Sequence, residues 1–207
     1  MPKPSRGVAL ENLTPDPSLV LLCIGLALAG LADLRAEDWP QWRGPQLNGT
    51  SGETGLPVRW STTQNVTWKL AMPERSGSTP IVWGDVVFVN VGEGAQLALW
   101  AVERNRGTVL WKRMLGTGNR RLMKQQMSSP SPVTDGRMVW AMTGTGMLKA
   151  FDLDGTERWA RDIQKEYGRF GLQWGYASSP LLFEDSLYVQ VITSSVPPAC
   201  RSSVGVV

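Results

Sequence analysis

A short lead-in ending in proline occurs three times along the chain. Ser78 opens STPIVWGDVVFV, Ser129 opens SPSPVTDGRMVW and Ala177 opens ASSPLLFEDSLYV, and Pro80, Pro132 and Pro180 fall 52 and 48 residues apart. After the second lead-in comes the clearest unit, residues 138–159, MVWAMTGTGMLKAFDLDGTERW. An apolar run at 138–142 meets the Gly144–Gly146 turn, a second run at 147–151 meets the turn 152–155, and a third begins at Thr156 and reaches Trp159. Runs of four to six residues punctuated by glycine read as an antiparallel meander and leave no room for a helix within the unit. The same order stands upstream in residues 86–90, the Gly92/Gly94 turn, residues 97–102, the polar turn 103–107 and a strand ending at Trp111, so that Trp111 and Trp159 are 48 residues apart.

A period near 50 with about four short strands per period is the spacing of a β-propeller. A lone four-stranded blade exposes both faces of its sheet, whereas blades stacked around an axis bury them, which explains why Trp, Val and Leu recur at fixed places. Ten tryptophans against three tyrosines and four phenylalanines fit packing between blades. Base stacking is the weaker reading, because no basic tract is interleaved with them and the net charge is only +3. The fold class expected is all-β, a partial propeller of four-stranded antiparallel blades with an incomplete ring.

On these residues a resemblance rests. AFDLDGTERW, and more loosely AVERNRGTVLW, resemble the closing strands and turn of the pyrroloquinoline quinone (PQQ)-like propeller repeat, while DWPQWRGP, SPSPVTDG and GLQWGYASSPLLFEDSLYVQV resemble its secreted bacterial branch, related to the BamB-type outer-membrane assembly protein. It covers roughly residues 38–191. The resemblance implies a propeller fold and either of two lives: a scaffold that binds protein partners, or a quinoprotein dehydrogenase.

Residues 19–32, LVLLCIGLALAGLA, follow Lys3 and Arg6 and have the length of a secretory signal, with Ala36 as the small residue before the cut. The expected organisation is a signal peptide at 1–36, an N-terminal arm and outer strand at 37–77, two nearly complete blades and the start of a third at 78–190, and an aberrant or truncated tail at 191–207. The product is then secreted or periplasmic, with no stable membrane span after cleavage. Cys23 lies within the leader behind Leu22, too large for a lipoprotein signal, and only Cys200 would remain, so no intrachain disulfide is expected. Trp39, Trp42 and Trp60 are expected to pack the arm over a blade edge, and residues 65–70, NVTWKL, to supply an outer strand that pairs with the far end of a complete ring and in which Trp68 stands like Trp111 and Trp159. The tail lacks a further closing strand with its tryptophan, so the repeats alone are not expected to fold as a cooperative monomer.

The chemistry-bearing patterns are sparse. The chain has no histidine, which removes Ser-His-Asp and Cys-His catalysis and histidine-based zinc sites. Gly92 and Gly94 form hairpin turns and precede no helix, so they hold no phosphate. Asp152-x-Asp154-Gly155 fails the calcium-loop register, because Gly155 at the sixth position puts Ala150 first. Asn48-Gly-Thr50 and Asn65-Val-Thr67 match a glycosylation pattern, which the resemblance to a bacterial branch implies is a false match. The connector 116–127 is the most basic run, with Arg120, Arg121 and Lys124, and reads as a rim loop; Arg43 reads as a solvated or carboxylate-paired guanidinium. No catalytic residue, metal or nucleic-acid partner is expected, and no adjacent cysteine pair or acidic cluster of the kind the resemblance implies for PQQ and calcium is present.

The connector 164–174 and the following GYASSP collect groups able to stack or hydrogen-bond. Gln173 and Trp174 are the first choices for a small-ligand site, with Tyr176 and Arg169 beside them: Trp174 as a stacking surface, Gln173 as donor and acceptor. The function expected is a noncatalytic extracytoplasmic scaffold with an envelope or secreted protein partner. A small-ligand or PQQ-binding sensor is the alternative, with a fragment of a quinoprotein dehydrogenase behind it.

Overall fold

Valine, tryptophan and leucine dominate the runs after each lead-in, and these runs form the strands of three antiparallel sheets. The computed structural model describes residues 36–122, 124–172 and 174–193, and the backbone of 203–206. The chain divides into Met1–Ala36 and Glu37–Val207, and only the second unit is taken up below. The apolar leader 19–32, Cys23, Cys200 and Gln173 lie outside the described residues.

The first sheet runs in sequence order through β1 (Ile81–Trp83), β2 (Val86–Glu93), β3 (Gln96–Glu103) and β4 (Val109–Thr117). The second repeats it with β5 (Val133–Thr134), β6 (Met138–Met142), β7 (Met147–Asp152) and β8 (Glu157–Asp162). A short helix, α1 (Ile163–Tyr167), then leads toward the third, ordered β11–β10–β9 from β9 (Leu181–Phe183), β10 (Ser186–Val191) and β11 (Ser203–Val206). Strand β11 pairs antiparallel with β10 and carries no tryptophan. Val204 and Val206 alternate with Ser203 and Gly205, and β10 offers an edge for them to pair with.

Central strands are largely buried and read as apolar runs, whereas β4 alternates half-buried and exposed positions as an outer strand does. Phe88, Leu99 and Ala101 of the first sheet pack with Val139, Ala141 and Phe151 of the second. Val133, Met142 and Leu148 pack with Leu187, Val189 and Val191 of the third. The sheets therefore stack face to face as successive blades, and the chain is a partial β-propeller. On the other face of the first sheet Val91, Trp100 and Val102 cluster beneath Trp68 and Leu70.

Two contacts repeat from blade to blade. The first is made by tryptophan. Trp111 lies opposite Ala101 and Trp159 opposite Ala150, each beside a bulge that bends the outer strand. The Trp111 indole donates to Leu153 O at 3.1 Å, in the turn of the next blade, and lies against Gly155. Trp68 does the same one blade earlier, donating to Arg104 O at 2.6 Å and covering Gly107. Among the described residues, 65–70 pairs with no strand, and Trp68 docks on the first blade without a ladder of its own.

The second contact is made by the residue before each lead-in proline. The Thr79 N–H donates to Ser131 Oγ at 2.9 Å, and the Ser131 N–H donates to Ser179 Oγ, also at 2.9 Å. A side-chain oxygen of each blade thus satisfies a backbone donor of the one before, where prolines leave the local ladder short of partners.

Candidate functional site

The inner edges of the three sheets lie side by side and are crossed by the arm. Trp39 exchanges two backbone hydrogen bonds with Val82 of β1, at 2.8 and 2.9 Å; Pro40 O accepts from Thr134 of β5 at 2.9 Å; and the Gln41 amide both accepts from Leu182 N–H and donates to Leu182 O in β9, at 3.1 and 3.3 Å. Three consecutive residues thereby cap three blade edges that would otherwise present unpaired backbone. Trp39 is held against Gly44, whose φ of +77° and lack of a Cβ allow the ring to lie on its backbone. The other expected anchors differ. Trp42 is 55 % and Trp60 73 % exposed, because the arm is fixed by its backbone and by Gln41 and leaves these rings outside.

Beside the arm is an open cleft of about 680 Å³. Trp42, Leu172 and Leu181 give it an apolar wall, and Ser129, Ser131, Ser178, Ser179, Gln125 and Gln190 give it hydrogen-bonding groups. Ser178 donates to the Gln190 side chain at 2.9 Å, which orients that amide. Tyr188 is the single ionisable side chain among the described lining residues. Ser131 and Ser179 come from equivalent lead-in positions, and Ser129 and Ser178 from the same two lead-ins, so neighbouring repeats assemble the polar wall. Their Ser-Pro signature was visible in sequence, but its convergence on one rim needed the stacking of the blades.

The connector expected to hold a ligand is fastened to the blades on both sides. Asp162 caps α1 by accepting the Lys165 N–H at 3.1 Å. Gln164 donates to Thr145 O at 2.7 Å and accepts the Phe170 N–H at 2.8 Å. Phe170 stacks on Tyr176 with ring centroids 4.2 Å apart, and Gly171 N–H donates to Ile192 O at 2.9 Å. Tyr176 is 2 % exposed and its hydroxyl donates to Gln190 O at 2.5 Å; burial raises its pKa well above the ordinary phenol range, so the hydroxyl remains a donor. Trp174 is 41 % exposed under the Lys124 ammonium, 4.5 Å from its ring centroid. Arg169 is exposed. Neither Trp174 nor Arg169 lines the cleft, while Leu172 and Gly175 from the same connector do. Tyr176, with Phe170, borders a smaller hollow of about 280 Å³ on the other side of the connector.

Carboxylates are employed in turns. Asp154 accepts the Thr156 N–H at 2.8 Å, which holds its pKa below the ordinary value, and Glu103 accepts the amides of Asn105 and Arg106 at 2.9 and 2.7 Å. Arg158 forks onto Asp152 and its pKa is raised by that bond. No group of three or more His, Cys, Asp or Glu among the described residues is placed to hold a metal ion. The described residues thus form no acidic cluster that would hold the calcium of a calcium-bound quinone. Among the described residues no helix is long and apolar enough to cross a membrane.

Comparison with solved structures finds BamB from Moraxella catarrhalis, at 22% identity and a TM-score of 0.42, over 59% of this chain and 32% of that one. A europium-containing methanol dehydrogenase is similar at 16% identity and a TM-score of 0.44, over 61% and 22% of the two chains. A quinohemoprotein alcohol dehydrogenase from Pseudomonas putida is similar at 16% identity and 0.42, over 60% and 18%. The aligned part thus spans about a third or less of the length of each. Among curated proteins there is no match. The sequence pattern of the family described as outer membrane protein assembly factor BamB matches residues 50–195, well over half of the chain. With its stacked four-stranded blades and repeated tryptophan docking, the chain belongs to that family of PQQ-like repeat β-propellers.

Proposed function

We propose that this chain is a noncatalytic, extracytoplasmic scaffold that binds a protein partner of the cell envelope at the inner-rim cleft. The observation that carries this reading is the composition of the cleft wall: serines, glutamines and apolar side chains, with Tyr188 as its one ionisable group. A general acid–base pair or an activated nucleophile needs titratable groups within reach of each other, and this wall supplies none. It supplies hydroxyls and amides that pair with a peptide backbone, next to apolar surface that gains by being covered. Family membership supports the same reading, as does the leader at residues 19–32, which implies a secreted or periplasmic product.

The test is site-specific photocrosslinking in the full chain, with the crosslinker at Trp42 on the cleft and, as the control, at Trp60 away from it. One envelope protein captured at Trp42 in near-stoichiometric yield, and not at Trp60, is the expected result. Electron-acceptor reduction over a panel of alcohols and sugars, with PQQ and calcium supplied, should stay at background; turnover abolished by removing the cofactor would overturn the scaffold reading. A second reading, a small-ligand sensor with PQQ as one candidate, draws on the cleft volume, which lies in the range of small-molecule sites. Saturable quinone binding without turnover, competed by Trp42 substitution, would favour it.

A further inference from the structure

The basic connector, read from sequence as a rim loop, does more than carry charge into solvent. Arg121 and Lys124 are brought beside Arg75, 46 residues earlier than Arg121 in the chain, around one cavity of about 320 Å³. Its remaining described walls are Ser76, Gly77, Gln125, Gln126 and Ser129, with no carboxylate among them. The acid nearest Arg75 in sequence is turned elsewhere: Glu74 accepts the Gly94 N–H and the Asn119 amide, each at 3.0 Å. Among the described residues no carboxylate pairs with Arg75, Arg121 or Lys124. Three like charges around one hollow repel each other, and the described residues around it offer no anion to relieve them.

The hollow also has directed donors. Ser129, 4 % exposed, accepts the Gln126 N–H at 3.0 Å and keeps its own proton to donate. Lys124 lies over Trp174, which limits where its ammonium travels. Gly77 is drawn in so closely that a Cβ there would stand 3.0 Å from Ser129 Oγ. The cavity shares Gly77, Gln125 and Ser129 with the larger cleft, so the two adjoin.

We propose that Arg75, Arg121 and Lys124 form an anion seat at the end of the cleft, which takes a carboxylate of an acidic peptide segment while the segment's backbone lies along the serine wall. The inference rests on the scaffold reading and names its partner class. A peptide is favoured over a lone inorganic anion because the seat opens on an uncharged cleft about twice its size, lined by groups that match peptide N–H and C=O. Guanidinium groups supply forked donors for a carboxylate, and the exposed position makes the contact sensitive to salt.

The experiment is fluorescence anisotropy of the full chain with a labelled octapeptide carrying four Asp or Glu residues, set against the same peptide with Asn and Gln in their place. The acidic peptide should bind and weaken as salt rises, with the neutral one at least tenfold weaker. Arg75→Gln and Arg121→Gln should each lower affinity by about tenfold, in line with loss of a charge-assisted pair. Arg120→Gln removes the same charge from the same connector, but Arg120 borders a different hollow, so this variant should change affinity less than threefold. Equal losses from all three variants would reduce the effect to net charge and overturn the proposal, as would equal binding of the neutral peptide. Binding of anionic phospholipid vesicles without binding of the peptide would overturn it too. Thermal melts of each variant guard against misfolding, and a Lys124→Arg variant that retains peptide binding would support the seat. If the acidic peptide fails to bind while Trp42 still crosslinks a partner, the seat is wrong and the scaffold reading stands.

Discussion

Gly155 shows how one residue joins two blades. Its φ of +86° suits the turn between β7 and β8, and its missing side chain makes room for its neighbours: a Cβ there would lie 3.0 Å from Trp111 Cδ2 and 2.9 Å from Arg113 Nε. Gly155→Ala should therefore combine the left-handed backbone penalty of about 1–2 kcal/mol with a clash that lifts Trp111 from its seat, and urea unfolding should register a loss of roughly 2 kcal/mol or more. Substitution at Gly84, which has open space around it, should lose only the backbone part. In the same turn the lowered pKa of Asp154 links stability to pH, because the Thr156 amide prefers the charged carboxylate. That contribution is present above the ordinary aspartate value and is lost as pH falls through the depressed one. Asp154→Asn should accordingly flatten the acid limb of the melting temperature, measured from roughly pH 5 to pH 2; an unchanged limb would contradict it. The glycine and tryptophan positions were legible as a repeat, since each is demanded by a turn or an outer strand. Burial of individual aromatics was not: Tyr176 is core and Trp60 is exposed, a distinction fixed by which blade or arm passes overhead.

At the scale of elements, the lead-ins do two jobs in three residues. Proline ends the local ladder, and the residue before it passes a hydroxyl back to the preceding blade, so blade-to-blade register is set by hydrogen bonds as well as by packing. Ser131→Ala leaves the Thr79 N–H without its acceptor and should cost about 1 kcal/mol, the net worth of a part-buried hydrogen bond. Ser131→Thr keeps the oxygen and should recover most of that loss; equal destabilisation by both changes would mean that space at the site matters and the hydrogen bond does not. The three lead-ins were plain in sequence because their spacing is regular. The arm's path was hidden, since it depends on Pro40 O and the Gln41 amide meeting two strands more than 90 residues away. Nor could pattern alone show that residues 65–70 run unpaired.

For the whole molecule, stacking brings equivalent positions of successive repeats to one rim, and this is why a cleft forms where no single stretch of sequence encodes one. The sequence pointed to the connector around Trp174, and Leu172 and Gly175 of that connector do reach the cleft, but the serines opposite came from residues that looked purely architectural. An aromatic-rich loop is easy to single out; a wall built from the serines of two separate lead-ins is not. The same geometry sets the charged hollow at the cleft's end, where Arg75 meets the connector only after the first two blades have stacked. We propose this rim as the place where a partner binds. Hydrogen exchange followed by mass spectrometry on the full chain, with and without the partner captured at Trp42, tests it most directly. Slowed exchange in residues 41–46 and 175–179, with residues 152–157 unchanged, is the predicted result. Protection confined to the outer turns, with the rim exchanging as in the free chain, would contradict it.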